Sequence, residues 1–473
     1  MDFRYTHILI KLIFLPAVLL SSGLYTPLLN AEESLLKQIE TAEQRFRTIS
    51  TEVYAELVRQ KKFGDRKFTD VSALEQEVLT LMAKDNHIQA IYLIRKHLKL
   101  IKDNIDNRAV FYLVDMLLRH NEWNTAREIL DTVSSEGDKS LRSNVTFIFA
   151  KYYADRQQWQ ETLNNLEGVL NDLPTEDAHY TLLLQGIAEQ SRKNHRKAVA
   201  YYQKIPDNSK YYPLAVINTA VAYIRQGWWT DAKLEIDKVL NSPKIAVNDE
   251  IINRMNLING YSLLQQGYFR NSRDSFRDVG LDSRYTNRAL LGIALTATNQ
   301  EDFIGALNAI NILKQKQSFD LSVDESHLML PYVYEKLKQN LTAATGYKEA
   351  VGYYKKRIDD VTDIMTRHVK NNLNISISGD RRTLIIGNTQ VEFTRHYPKS
   401  FLQNHAELKE LSNHLDDVNP NTRKKFEHIL AEHTILLKKL TLTLLNERIE
   451  FLSSYMSQSR FGLARLYDSS AGK

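Results

Sequence analysis

The chain has 473 residues, 43% of them apolar and 25% charged, which is ample for a buried core and too long for one compact domain. With 17 Gly and 9 Pro it carries too few breakers for a loop-rich or all-β protein, and 62 Lys plus Arg against 57 Asp plus Glu leave a formal charge of only +5. That excess is not clustered, which argues against nucleic-acid binding, and the absence of cysteine removes disulfides, thiol catalysis, thiolate metal sites and lipidation at an N-terminal cysteine.

Residues 1–31 read as a signal peptide. Arg4 and Lys11 precede an apolar run from Leu12 to Leu20, and Leu29-Asn30-Ala31 offers a cleavage point ahead of Glu32-Glu33. The competing reading is an inner-membrane anchor formed by residues 8–29, with Lys11 reaching the interface. Residues 32–69 then hold a capping helix, with Leu36, Ile39, Phe46, Ile49 and Val53 at helical spacing.

Residues 70–360 are repetitive. Seven segments place a ring side chain three positions before a small residue: His87 with Ala90, Trp123 with Ala126, Trp159 with Thr162, His195 with Ala198, Trp229 with Ala232, Phe269 with Ser272 and Phe303 with Ala306. The small residues recur at intervals of 36, 36, 36, 34, 40 and 34. Twelve positions before them stand Val78, Val114, Ala150, Gly186, Ala220, Gly260 and Ala294. Four and seven positions after them the residues are apolar, save His97, so they share one helical face. Each unit is therefore an antiparallel helix pair that buries its face against the next pair. An eighth, degenerate unit carries Pro331, Tyr334, Ala343 and Tyr347 in corresponding places.

This pattern resembles the tetratricopeptide repeat, with its small residue in the first helix, aromatic at the turn and Ala opening the second helix. Val78, Val114, Thr162 and Ser272 depart from it, and Pro174, Pro206 and Pro243 sit near three second-helix ends. The interval of 40 places a longer connection near Lys244 to Asn248. The resemblance implies an all-α, right-handed superhelical solenoid of about seven or eight antiparallel helix pairs, with a C-terminal helical region.

Residues 361–398 break the helical pattern and read as an irregular linker or a small hairpin, with alternation at Leu373, Ile375 and Ile377 and again around Val391-Glu392-Phe393. Residues 399–473 return to helix. Asn419 and Pro420 suit the start of a long terminal helix, about 70 Å if unbroken to Asp468, with an apolar face from Phe426 to Met456.

No catalytic, cofactor or metal constellation stands out. His428 and His433 lie five apart, which leaves the rings about 140° apart on a helix, so a solvated face is expected rather than a zinc motif. His87 and His195 occupy the ring position and are assigned to packing, as are Trp123, Trp159 and Trp229, whereas Trp228 falls outside the register and is expected to be partly exposed.

The first helices of such a solenoid line a concave groove. Its expected floor comprises Ile217, Val221, Ile224, Leu257, Tyr261, Leu264, Leu291 and Leu295, with Arg225, Arg254 and Arg288 at the edges. An apolar floor with a basic rim suits a protein partner, either an extended peptide or an amphipathic helix, unless the chain's own C-terminal helix fills it. The expected function is a non-enzymatic scaffold of the bacterial envelope, exported to the periplasm, that assists a secretion, pilus or flagellar, polysaccharide-export or cell-wall machine. A carbohydrate- or peptidoglycan-binding solenoid is the alternative, favoured if the 24 tyrosines cluster on the concave face.

Overall fold

The structure, a computed structural model, describes residues 26–242, 248–316, 318–378, 382–416 and 418–471. The signal sequence expected over 1–31 and the alternative anchor over 8–29 fall mostly outside the described residues, as do Pro243, the connection from Lys244 to Val247, and Gly379-Asp380. Among the described residues no helix is long and apolar enough to cross a membrane.

Among the described residues, helix α1 (Thr26–Arg59) is followed by eight antiparallel helix pairs. Pair 1 is α2 (Val71–Ala83) with α3 (His87–Lys96), and a short α4 (Leu98–Lys102) follows it. Pair 2 is α5 (Ala109–Arg119) with α6 (Trp123–Glu136), and pair 3 is α7 (Lys139–Asp155) with α8 (Trp159–Leu166). Pair 4 is α9 (Thr175–Ser191) with α10 (His195–Tyr202), and pair 5 is α11 (Tyr212–Arg225) with α12 (Trp229–Leu240). Pair 6 is α13 (Asp249–Gln265) with α14 (Phe269–Arg277), and pair 7 is α15 (Thr286–Asn299) with α16 (Phe303–Lys314). Pair 8 is α17 (Leu321–Lys336) with α18 (Asn340–Met365).

The register read from the sequence holds at atomic level. In the first seven pairs all four marked positions are buried: the small residue, the one twelve before it, and those four and seven after it. Pair 8 follows suit with Pro331, Ala343, Tyr347 and Ala350. His97, the polar exception, is buried because both ring nitrogens find backbone partners: Nδ1 lies 2.9 Å from the Leu93 carbonyl, and Nε2 accepts from Phe68 N–H at 3.3 Å. Burial lowers its pKa and keeps the ring neutral.

The turns inside the pairs share one construction. Each ring residue is the first residue of its second helix, and two positions earlier stands a left-handed residue: Asp85, Asn121, Gln157, Lys193, Gly227, Gly267, Glu301 and, before Asn340, Lys338, with φ from 57° to 81°. The residue between them donates its N–H five residues back, at 2.8–3.0 Å in all eight turns. This is the Schellman stop, and it satisfies carbonyls the first helix would otherwise leave open.

The chain divides into two units, each a solenoid stack of four pairs. In pairs 3, 4, 6, 7 and 8 the first helix packs on both helices of the pair before it, and in pair 2 it packs on the first helix of pair 1. The N-terminal unit, residues 27–205 and 398–437, adds α1, α19 (Lys399–Leu411) and the start of α20 (Pro420–Ala471). Its core joins Phe46, Ile49 and Val53 of α1 and Leu408, Leu411 and Phe426 near the C-terminus to pairs 1 to 3. Leu36, read into the apolar face of α1, is instead exposed, and Leu35 is buried in its place. His433 also departs from expectation: it is fully buried, stacked on Phe401 at 4.8 Å with Nε2 3.0 Å from the Ala42 carbonyl, while His428 is exposed. Spacing along its own helix does not reveal this, because the burying surface comes from α1 and α19.

The C-terminal unit, residues 206–397 and 438–471, adds a small sheet and the rest of α20. Its strands β1 (Ile375–Ile377), β2 (Thr383–Ile386) and β3 (Thr389–Glu392) form an antiparallel meander, pairing Ile375 with Ile386 and Leu384 with Val391. Helix α20 docks on pair 8: Arg448 pairs with Asp324 where both are buried, Arg465 reaches Glu335 at 2.6 Å, and Gly462 lies against the Tyr347 ring.

Candidate functional site

Packing splits the expected groove residues into two groups. Ile217, Leu257, Leu264, Leu291 and Leu295 are buried. Leu264, Leu291 and Leu295 belong to a core cluster built by pairs 6 to 8, Ile217 to one built around pair 5, and Leu257 packs with Phe276 and Val279. Val221, Ile224 and Tyr261 are half-buried, and the Tyr261 hydroxyl donates to the Arg288 carbonyl at 2.8 Å. Arg225 is exposed. The apolar floor is therefore largely packing between helices, and the accessible chemistry of this surface is basic.

Arg254 on α13 and Arg288 on α15 line a cavity of about 700 Å³, together with Arg284, Arg382 and His396. The far wall is the sheet, which the segment before α17 holds in place. Glu392 N–H donates to the Phe319 carbonyl at 3.0 Å, and Val391 bridges Phe319 in parallel. The Glu392 carboxylate then accepts from Leu321 N–H at 3.1 Å, pairs with Arg288 and lies 3.8 Å from Arg382. Burial acts to lower the Arg288 pKa, and the Glu392 carboxylate outweighs it, so the guanidinium stays charged.

Among the described residues the cavity is lined by two carboxylates, and both are committed. Asp320 caps α17 through Ser322 N–H at 2.8 Å and accepts from Asn287 at 3.2 Å, and Glu392 is engaged as described. Among the described residues Arg254 and Arg284 form no ion pair, although Arg284 lies 4.9 Å over the Tyr285 ring. Among the described residues, four arginines thus face two occupied carboxylates in a half-enclosed space, where positive field is screened less than at an open surface. An incoming carboxylate is the chemical complement.

Sequence reasoning found Arg254 and Arg288 from the register. It missed Arg284, in the connection before α15, and also Arg382, Glu392 and His396, because no periodicity says that Val391 and Glu392 return to Phe319. Of the tyrosines, Tyr285 lines the cavity, whereas Tyr54, Tyr92, Tyr202, Tyr354 and Tyr455 are buried in helix cores, and Trp228 is 39% exposed. Metal-ligand spacing occurs in the N-terminal unit, at His87, His120 and Glu407, where the sequence assigned His87 to packing.

Eight helix pairs with a Schellman turn, a small residue facing a ring and a common register define a tetratricopeptide-like repeat protein. No family model and no curated protein matches the chain. Solved structures similar to it include apo RapI, at TM-score 0.46 and 12% identity over 78% of this chain and 98% of that one. A tetratricopeptide repeat protein from Parabacteroides merdae aligns at TM-score 0.36 and 13% identity over 53% of this chain and 91% of that one. PilF of Pseudomonas aeruginosa aligns at TM-score 0.34 and 17% identity over 54% of this chain and 95% of that one. Likeness at this level adds nothing to the argument, and the fold rests on the pair geometry itself.

Proposed function

We propose that the chain is a non-enzymatic protein-interaction scaffold that captures an acidic segment of a partner protein in the basic cavity of its C-terminal unit. The observation that carries this reading is that, among the described residues, Arg254 and Arg284 form no ion pair and both carboxylates lining the cavity are already engaged. The half-buried Val221, Ile224 and Tyr261 continue the surface along the first helices and offer apolar contact to the same segment. The leader pattern of residues 1–31 supports work in the bacterial envelope, in the periplasm or tethered by residues 8–29. There the scaffold assists assembly of a secretion, pilus or flagellar, polysaccharide-export or cell-wall machine.

The experiment is photocrosslinking in intact envelopes from an amino acid placed at Gln390, on the cavity wall, with and without Arg254→Glu and Arg284→Glu. The expected result is one dominant partner protein whose crosslink falls at least tenfold on charge reversal. A crosslink pattern unchanged by both reversals overturns the proposal.

A further inference from the structure

Three elements of the N-terminal unit converge on one cluster of nitrogen and oxygen donors. His87 opens α3, His120 is the residue on which α5 ends, and Glu407 and Glu410 lie one turn apart on α19. His87 Nε2 is 2.9 Å from a carboxylate oxygen of Glu407 and 2.9 Å from one of Glu410. His120 Nδ1 is 2.5 Å from the other oxygen of Glu407. The two imidazoles stack at 4.7 Å with 18° between their planes, and one donor atom from each of His87, His120 and Glu407 falls within 4.8 Å of the others.

Two features separate this cluster from an ordinary ion pair. His87 Nε2 is buried and close to two carboxylates, yet neither oxygen meets hydrogen-bond geometry with it. The donors are also held in place by their surroundings. Asn404, one turn before Glu407, is hydrogen-bonded by Asn121 beside His120 at 2.8 Å, and Leu408 and Leu411 anchor α19 in the core.

We propose that His87, His120 and Glu407, with Glu410 as a fourth ligand, bind one zinc ion that clips α19 onto pairs 1 and 2. Two imidazoles with carboxylates, and no thiolate, form a borderline donor set that suits Zn²⁺ over the harder Mg²⁺ and Ca²⁺. A tetrahedral ion at about 2.0–2.1 Å from each donor places them about 3.3 Å apart, which asks the close histidine–carboxylate contacts to open by under about one ångström. Glu410, with a side chain 41% exposed, has room to make that adjustment. This site stands independently of the basic cavity in the other unit.

The test uses the full chain, stripped with a chelator and titrated with Zn²⁺ alone, with Mg²⁺ in parallel. The expected result is one equivalent of Zn²⁺ bound at micromolar dissociation constant or tighter, a raised Tm, and no response to Mg²⁺. Glu407→Gln and His120→Ala should each weaken binding at least tenfold, and His428→Ala, at an exposed histidine, should leave it unchanged. Glu410→Gln, at the least buried position, keeps the test valid if the other variants unfold, and it should weaken binding several-fold. Co²⁺ in place of Zn²⁺ should give tetrahedral visible absorption that His120→Ala abolishes. Absence of saturable Zn²⁺ binding, or equal binding by wild type and Glu410→Gln together with whichever of the other variants fold, overturns the proposal and leaves the cluster a protonated histidine–carboxylate pair.

Discussion

The ring of Phe276 occupies the space where a side chain on Gly260 would begin: a β-carbon there would stand 2.6 Å from the ring. The ring cannot retreat, because a β-carbon on Gly292 of the next pair would meet it at 2.4 Å. Ser272 fixes the same contact by donating to the Gly260 carbonyl at 2.7 Å. Gly260→Leu should therefore destabilise the protein by about 1–3 kcal/mol or more, since the ring has no free volume to enter. Pairing it with Phe276→Leu should recover part of the loss, a non-additivity readable from urea midpoints of the four proteins. Unchanged midpoints in Gly260→Leu would mean that this contact does not exist.

The turn construction makes the opposite kind of prediction. Lys193 and Lys338 are exposed and held at φ 66° and 61°, where an L side chain is strained and glycine is not. Lys193→Gly and Lys338→Gly should each stabilise by about 0.5–1 kcal/mol, the relief of strain exceeding the entropy glycine loses. Lys193→Ala, which keeps the β-carbon, should do nothing. A glycine variant less stable than its alanine counterpart would show that the residue is not left-handed.

Glu325, buried on α17, has its carboxyl pushed up to about 7 by burial, against the opposing hydrogen bond from Tyr455. The folded value lies above the ordinary 4.5, so the protonated carboxyl favours the fold. That stability is complete below about pH 4.5 and is lost as pH rises through 7, a span of about 3 kcal/mol. Glu325→Gln should flatten this part of the curve and be the more stable protein at pH 8. Chemical denaturation from pH 5 to 8.5 reads it directly, and an identical slope in both proteins would assign the dependence to another group.

Asp324 beside it is the anchor of the terminal helix. Its carboxylate takes Arg448 of α20 and the Tyr353 hydroxyl at 2.7 Å, and the Tyr354 hydroxyl donates to its backbone carbonyl at 2.6 Å. Arg448→Met should cost about 3–5 kcal/mol, because it leaves a buried carboxylate without its closest cation. Adding Asp324→Asn should restore part of that. Limited proteolysis is the second readout: α20 beyond Lys438 should become the first site of cleavage in Arg448→Met and not in the double variant.

Much of the fold was legible because the repeat speaks seven times. A ring at 123, 159 and 229, a small residue three later and an apolar one four beyond it leave little freedom in how the helices stack. The turns were less legible, since Gly227 and Gly267 announce a left-handed residue but Asp85, Gln157, Lys193 and Glu301 do not. The site was half legible. Arg254 and Arg288 follow from the register, but much of the apolar floor expected to receive a partner is buried between helices, because the positions that face a groove also touch the neighbouring first helix. Glu392 and His433 could not be placed at all: each depends on a segment more than 70 residues away, at Phe319 and Ala42, and no local pattern records such a meeting.

The N-terminal unit is built from two stretches of chain, 27–205 and 398–437, with the four pairs of the other unit encoded between them. A ribosome adding about 5–20 residues each second finishes pair 4 many seconds before it makes α19. During that interval His87, His120 and the apolar side chains that later receive Leu408 and Leu411 have no cover, and the nascent polypeptide carries an incomplete first half. Order of synthesis therefore makes residues 399–471 the step that completes both halves.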